Sequence, residues 1–179
     1  MPIDMKSVIA EAFKDMVRRG NADKITVKAL IEECHISRQT FYYHFQDILD
    51  VMEWSIKQET KRLTQESIKA DDMRSALKIF ISFTADHFSV LEKLMGSQRR
   101  PQFEKFMVES METYLGEMAK YKAPKASGSF GYFDREVLLR YTACGLVGVL
   151  LTYGKNTDPD LLASRLELIL PGEIPKDGK

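Results

Sequence analysis

The sequence predicts an all-α protein, and three observations support this fold class. Apolar residues recur at helical spacing along most of the 179 residues, and no segment alternates as a half-buried strand would. Serine, threonine and aspartate stand where helices should begin. Two short helices in immediate succession form a helix-turn-helix unit. We therefore expect a three-helix head over residues 1–46, and a connecting helix with a larger helical body over residues 47–179.

The head begins with a helix whose apolar residues form one stripe, made of Val8, Ile9, Ala12, Phe13, Met16 and Val17. Arg18, Arg19 and Gly20 should end this helix, because cations and glycine are favoured at helix C-termini. Thr26 is the expected N-cap of a second helix that buries Val27, Leu30, Ile31 and Cys34. Ser37 should cap a third helix over residues 38–45. Neither short helix is stable alone, so both must pack on the first.

The body is predicted as a series of longer helices. A connecting helix runs from about Asp47 to Ala70, and Asp71 and Asp72 precede a helix that continues through Leu94. Residues 96–101 break the pattern before a helix over 103–118, and residues 122–131 should form a loop. An apolar helix over 133–154 and a last helix from Asp158 to Leu170 follow. The polar tail after residue 171 should be frayed.

The charge balance excludes a protein that binds nucleic acid through bulk positive charge. The chain holds 26 Lys and Arg against 26 Asp and Glu, and its net charge is zero. Residues 1–60 alone hold eight Lys or Arg against ten Asp or Glu. A DNA-binding function would therefore depend on a few well-placed contacts, and non-specific DNA should bind poorly.

The two cysteines and the lack of a signal-like N-terminus indicate a cytoplasmic protein. Cys34 and Cys144 lie in apolar helical patterns without metal-ligand spacing, so we expect two buried thiols and no metal or cofactor. The longest near-apolar stretch, Tyr141 to Tyr153, is 13 residues long, shorter than the ~20 that span a bilayer. No membrane association is expected.

The third short helix carries side chains suited to reading DNA. In a helix-turn-helix the second helix of the unit enters the major groove, and its N-terminal side chains reach base edges. Arg38 and Gln39 stand at that end, while Phe41 and Phe45 should anchor the opposite face. The candidate DNA-binding residues are Thr26, Lys28, Ser37, Arg38, Gln39, Thr40, Tyr42, Tyr43 and His44.

This stretch resembles the DNA-binding motif of TetR-family transcriptional regulators. The resemblance rests on the threonine-led helix at Thr26, the serine-led helix at Ser37 and the run Phe41-Tyr42-Tyr43-His44-Phe45. It implies phosphate contacts for Thr26, Ser37, Tyr42 and His44, and positions near the bases for Arg38, Gln39, Thr40 and Tyr43. Residues 42–54 also resemble a subgroup that regulates dihydroxyacetone kinase operons. The resemblance further implies an operator-binding homodimer controlled by a small molecule or a partner protein.

Two positions depart from the family pattern. His35 stands where the family usually has a turn glycine, so it must adopt the turn conformation at some energetic cost or form a different turn. Ile48 replaces a usual lysine and removes one expected phosphate contact. These departures keep a second hypothesis open, a ligand-binding or protein-interaction module with little DNA affinity.

The body carries no catalytic motif, and no enzymatic function is expected. An apolar effector pocket between helices is instead possible. Its candidate lining residues are Phe83, His87, Phe106, Tyr114 and Tyr141. His87 has an alternative role as a hydrogen-bonded core histidine.

The apolar helix over residues 134–154 indicates a homodimer interface. It is apolar nearly all round from Tyr141 to Tyr153, and Gly145 and Gly148 would allow another backbone to approach closely. Together with the last helix it could form a two-fold four-helix interface. The alternative is a helix at the centre of a monomeric body.

Overall fold

The computed structural model describes residues 4–122 and 132–169. This part of the chain is helical and contains no strand, which confirms the all-α fold class. The helices are α1 (Met5–Arg19), α2 (Val27–Glu33), α3 (Arg38–His44), α4 (Ile48–Lys69), α5 (Met73–Asp86), α6 (Phe88–Met95), α7 (Arg100–Lys122), α8 (Tyr132–Tyr153) and α9 (Pro159–Ile169), with a short 3₁₀ turn at Ala22–Lys24.

The predicted helix starts are confirmed at four polar caps. Thr26 Oγ1 accepts the amide of Ala29 at 3.1 Å, and Ser37 Oγ accepts the amide of Thr40 at 2.9 Å. Asp72 caps α5 and Asp158 caps α9 in the same way, each accepting the amide three residues on. These bonds satisfy amides that the helix itself leaves free, which is why the short α2 and α3 have defined starts.

The chain divides into two compact units. The first comprises residues up to Gln58 together with Ser89–Phe106, and the second comprises Glu59–Phe88 and the residues from Met107 onward. α4 and α7 therefore each contribute to both units. The predicted division between a DNA-binding head, residues 1–46, and an effector-binding and dimerisation body, residues 47–179, concerns function and stays a prediction.

The first unit has its core around α1. Ile9, Phe13 and Val17 of the predicted stripe are buried, but Val8 is exposed and Ala10 is buried in its place. Leu30, Phe41, Phe45, Val51 and Met52 from α2, α3 and α4 are also buried, as are Val90, Leu94 and Phe103 from the segment 89–106. Burial of both short helices agrees with the expectation that they depend on packing for stability.

The second unit has a separate apolar core. It combines residues of α4, α5, α7, α8 and α9, among them Leu63, Leu77, Ile81, Met111, Tyr114, Met118, Leu146, Leu150 and Leu166. Lys78 Nζ of α5 also pairs with Asp160 Oδ2 of α9 at 2.6 Å.

The prediction of one helix from residue 72 through Leu94 was wrong. The chain leaves helical geometry at His87, with φ −104° and ψ 9°, and α6 begins at Phe88. The His87 amide donates to the Phe83 carbonyl oxygen at 3.1 Å, and His87 Nδ1 lies 2.9 Å from the same oxygen. The ring and the backbone of His87 thus both satisfy the last turn of α5, so no further helical hydrogen bond is needed there.

The expectation of two buried thiols was wrong. Cys144 is exposed and Cys34 is only half-buried, where burial raises the pKa of its thiol. Cys144 lies on the exposed side of α8, together with Tyr141, Gly145 and Gly148. Judged by length and composition alone, α8 from Asp134 to Tyr153 is long and apolar enough to cross a membrane. One such helix is weak evidence for a membrane span, because the core helix of a soluble protein passes the same test.

Two predicted segments lie outside the described residues. The loop expected at 122–131 falls there except for Lys122, which ends α7, and the tail after residue 171 falls there entirely.

Candidate nucleic-acid interface

The turn between α2 and α3 is a compact helix C-cap centred on His35. The His35 amide donates to the Glu32 carbonyl at 3.2 Å, and the Ile36 amide donates to the Ile31 carbonyl at 3.2 Å. This pair of bonds defines the Schellman motif, which needs a left-handed residue between them. His35 has φ 51°, so it adopts the conformation that glycine usually supplies. His35 therefore adopts the glycine-like turn conformation, at the energetic cost expected for a residue with a Cβ atom, and does not form a different turn.

α3 is anchored by Phe41 and by its C-cap residue Phe45, as predicted. Phe41 is fully buried and Phe45 is 2% exposed, and their ring centroids lie 6.2 Å apart. Phe45 also packs edge-on against Trp54 of α4 at 5.8 Å. Burial of such side chains contributes roughly 1.5–3 kcal/mol each. The orientation of α3 on the head is thus determined by core packing.

Four residues of α3 are exposed. Tyr43 is 84% exposed and Tyr42 is 47% exposed, while Arg38 and Gln39 are also on the surface. The Arg38 guanidinium lies over the Tyr42 ring at 5.4 Å from its centroid. This cation–π contact restricts the arginine at the N-terminal end of the helix, where side chains reach base edges.

The other predicted contact residues lie around this face. Thr26 and Ser37 are exposed, but their hydroxyl oxygens cap α2 and α3. Thr40 is half-buried, with its hydroxyl 2.8 Å from that of Ser37. His44 is half-buried and meets the Tyr43 ring edge-on at 4.9 Å. The structure therefore brings all the predicted DNA-binding residues of α2 and α3 into one segment of the head.

The charges of the head are mostly paired within it. Arg19 Nη2 lies 2.6 Å from Glu33 Oε1, and Lys28 Nζ lies 3.9 Å from Glu32 Oε1 with its side chain 86% exposed. Among the residues that the structure describes, Arg38 has no ion pair. Its guanidinium donors are consequently available to a ligand on the outer face of α3.

The start of α4 carries two carboxylates that the sequence interpretation missed. Asp47 Oδ1 accepts the Asp50 amide at 2.9 Å, and Asp50 Oδ2 accepts the Gln46 amide at 2.9 Å. Ile48 is 7% exposed and belongs to the core. The spacing Asp-x-x-Asp at 47–50 is close to a capping box and could have revealed this arrangement. Carboxylates therefore occupy the N-terminus of α4, where a phosphate could otherwise bind.

The predicted pocket residues do not form one group. Tyr114 is 1% exposed, and its hydroxyl donates to Ser67 Oγ at 3.1 Å. Burial raises the pKa of Tyr114 to about 12. Phe83 and His87 stack at 4.1 Å between ring centroids, Phe106 belongs to the first unit, and Tyr141 is 76% exposed on α8.

A small apolar cavity lies in the second unit. It measures about 10 Å³, close to the space that one water molecule needs. Its lining residues are Leu77, Phe80, Ile81, Met111, Tyr114, Leu146, Leu150 and Leu166. Tyr114 is thus the one predicted pocket residue that lines it. Within residues 4–122 and 132–169, no three His, Cys, Asp or Glu side chains come together as metal ligands.

Comparison with known proteins confirms the resemblance and the fold. No model of a known protein family matches the chain. The chain is 20% identical, over 144 residues, to the HTH-type dhaKLM operon transcriptional activator DhaS of Lactococcus lactis subsp. lactis strain IL1403. The matched residues cover 80% of this chain and 76% of DhaS.

Solved structures with the same fold span nearly the whole chain. The dihydroxyacetone kinase operon activator DhaS has a TM-score of 0.68 at 20% identity, with 94% of both chains covered. The fatty acid degradation regulator FadR from Bacillus halodurans has a TM-score of 0.54 at 15% identity, with 95% of this chain and 96% of FadR covered. The TetR-family repressor AlkX from Dietzia sp. strain DQ12-45-1b has a TM-score of 0.53 at 17% identity, with 96% of both chains covered. The chain therefore has a TetR-like fold and resembles DhaS.

Proposed function

We propose that this protein is a TetR-like transcriptional regulator that binds operator DNA through α3. The proposal rests on the two faces of α3, one buried and one exposed. Its inner face is fixed by Phe41 and Phe45, and its outer face presents Arg38, Gln39 and Tyr43. A helix held in this way can be inserted into a major groove with its polar side chains directed at the bases.

The outer face offers donors for both bases and phosphates. The unpaired Arg38 guanidinium can contact guanine O6 and N7, and the Gln39 amide can contact adenine N6 and N7. The hydroxyl of Tyr42 can donate to a phosphate oxygen, as can the hydroxyls of Thr26 and Ser37, while Tyr43 lies nearer the bases. These contacts supply specificity with little positive charge, in keeping with the net charge of zero.

A second copy of the chain would cover the outer faces of α8 and α9. Val137, Tyr141, Cys144, Gly145 and Gly148 are exposed along one side of α8, and only 28% of its most apolar stretch is buried. On α9, Leu161, Leu168 and Ile169 are exposed. This low burial favours a dimer over a helix at the centre of a monomer, because an apolar patch of this kind marks an interaction surface. A two-fold dimer would present two heads to a pseudo-palindromic operator.

The second unit would sense a small molecule or a partner protein. Tyr114 supports this role, because its ring lines the apolar cavity. Phe83 and His87 remain candidates for contact with a ligand. A pocket for a larger ligand would require the cavity, at about 10 Å³, to expand.

The proposal assigns the protein to the cytoplasm and gives it no catalytic activity. Both assignments follow from its similarity to transcriptional regulators such as DhaS. The operon named for DhaS also suggests a first DNA to test, the promoter of a dihydroxyacetone kinase operon.

Selection of DNA from a random pool tests the proposal. The full chain should enrich a pseudo-palindrome, and Arg38→Ala should weaken its binding by about tenfold or more in a gel-shift titration. Arg74→Ala is the matched control, because Arg74 is an exposed arginine on α5 and its loss changes the net charge equally. Failure to enrich any sequence, or equal losses for the two variants, would contradict the proposed interface.

The alternative is a protein-interaction module with little DNA affinity. The carboxylates at the start of α4 and the zero net charge favour it. For a specific DNA binder the logarithm of the affinity falls linearly as the logarithm of the salt concentration rises, because contacts to phosphates release counterions from the DNA. An interaction module would show no such slope with DNA.

A further inference from the structure

The segment that joins α6 to α7 binds the backbone between α1 and α2. Arg99 Nη2 donates to the Ile25 carbonyl at 2.7 Å, and Arg99 Nη1 donates to the Ala22 carbonyl. The Gln98 amide donates to Asp23 Oδ1 at 2.9 Å. Three successive contacts therefore hold residues 22–25, although the two segments lie 74–77 residues apart in the sequence.

Three further hydrogen bonds fix this segment. Lys93 Nζ of α6 donates to the carbonyl of Arg18, near the end of α1, at 2.5 Å. Ser97 Oγ accepts the Arg99 amide at 3.1 Å and donates to the Leu94 carbonyl at 2.7 Å. Arg99 is half-buried, so its hydrogen bonds are partly shielded from water. We refer to Lys93, Gln98 and Arg99 as the clamp.

The clamp holds the point from which the helix-turn-helix begins. Ile25, whose carbonyl receives Arg99, directly precedes Thr26, the N-cap of α2. α2 leads through the His35 turn into α3, so a displacement at residue 25 would be passed on to the recognition helix. On the other side, α7 begins at the residue after Arg99 and carries Tyr114.

We infer that Arg99 is a positioning residue for DNA recognition, acting through α2 and not through DNA. Its planar guanidinium donates to the two carbonyls from two separate nitrogens in a fixed fork, whereas the single ammonium group of a lysine would have to reach both. The Arg99 guanidinium donates to backbone carbonyls of residues 22 and 25, so these donors are not available to DNA. Within the described part of the chain, the Arg38 guanidinium makes no such bond and lies over the Tyr42 ring. The DNA part of this inference rests on the proposed function, but the clamp itself does not.

Arg99→Ala and Arg100→Ala together test the inference. Arg100 is the neighbouring arginine, is exposed and pairs with Glu104 at 2.9 Å, so it is a matched control for charge. The first measurement is amide hydrogen exchange of the full chain without DNA. Arg99→Ala should speed exchange of the hydrogen-bonded amides of Ile25, Ala29 and Leu30 by about tenfold, and Arg100→Ala should leave it unchanged.

The second measurement is affinity for the DNA that the wild type selects. Arg99→Ala should weaken binding about tenfold with an unchanged salt slope, Arg99→Lys should lie between, and Arg100→Ala should match the wild type. A slope reduced by about one would mean a phosphate contact and would overturn the inference, as would equal losses for the two alanine variants.

The two measurements separate the failures. If the wild type selects no DNA, the proposed function fails, while hydrogen exchange still decides whether Arg99 holds residues 22–25. Unchanged exchange in Arg99→Ala overturns the clamp even if DNA binding is established. If Arg99→Ala does not fold, Arg99→Lys carries the comparison, with intermediate exchange expected and wild-type exchange contradicting the inference.

Discussion

His35 holds a left-handed backbone conformation, with φ 51°, in the turn that orients the recognition helix. A residue with a Cβ atom pays about 1–2 kcal/mol in this region, and glycine avoids that cost. Glycine loses more backbone entropy on folding, which offsets part of the gain. The local strain is therefore a feature of this chain's turn rather than of the fold.

His35→Gly should raise the free energy of unfolding by about 1 kcal/mol, as measured by urea denaturation. His35→Ala is the control, because it removes the imidazole but keeps the Cβ atom, and it should give no gain. Equal stabilisation by both variants would place the cost in the imidazole and not in the backbone.

Tyr114 makes the stability depend on pH in the alkaline range. Burial raises its pKa from 10.0 to about 12, so the folded state keeps the phenol protonated when the unfolded state has released its proton. The stabilisation is fully present below pH 10 and is lost as pH rises through about 12. Two pKa units correspond to about 2–3 kcal/mol.

Comparison of the wild type with Tyr114→Phe isolates this effect. Phenylalanine keeps the ring but cannot ionise, so the variant should be slightly less stable at pH 8, by about 1 kcal/mol for the lost hydrogen bond, and should gain relative to the wild type between pH 10 and 12. Parallel curves of unfolding free energy against pH would contradict the assigned cause.

The two faces of α3 allow stability and DNA binding to be tested with different variants, because Phe41 is buried and Tyr43 is exposed. Phe41→Ala should cost about 3–5 kcal/mol of stability, because it removes a fully buried ring. Tyr43→Ala removes a side chain that is 84% exposed and should change stability by less than about 0.5 kcal/mol while weakening DNA binding. Thermal unfolding and gel-shift titration measure the two effects. A stable Tyr43→Ala variant with wild-type DNA binding would remove Tyr43 from the interface.

α8 provides the corresponding test of the dimer. Gly148 is exposed, and a Cβ atom built there meets nothing within 4 Å. Gly148→Arg should leave the protomer folded but prevent close approach of a second copy, so sedimentation should show a monomer. Gly116→Arg on α7 is the control, because a Cβ atom there also meets nothing within 4 Å. A dimer that survives Gly148→Arg would place the interface elsewhere.

The elements that sequence alone predicted are those with local chemical signals. Thr26, Ser37 and Asp72 bond to amides only three residues away, so the caps could be read from the sequence. The break at His87 involves neither glycine nor proline and was missed. α8 is apolar on all sides, which hid the difference between its buried Leu146 and its exposed Tyr141. The clamp joins residues more than 70 positions apart, and no local pattern indicates it.

The whole protein, under the proposed function, is a dimer that recognises DNA with few charges. The chain has no net charge, and most cations near α3 are paired, so non-specific attraction to DNA should be weak. In the proposed dimer, specificity would come from two copies of α3, each held in place by the core of its own first unit and by the clamp. Variants that disrupt the α8 interface should consequently lose operator binding together with the dimer.

The most direct test is the affinity of the wild type for its selected operator and for a scrambled duplex of the same composition, measured across a range of salt concentrations. We expect a preference of about 10³ or more for the operator, and a logarithm of the affinity that falls linearly with the logarithm of the salt concentration. Equal affinity for the two duplexes, or no dependence on salt, would contradict it.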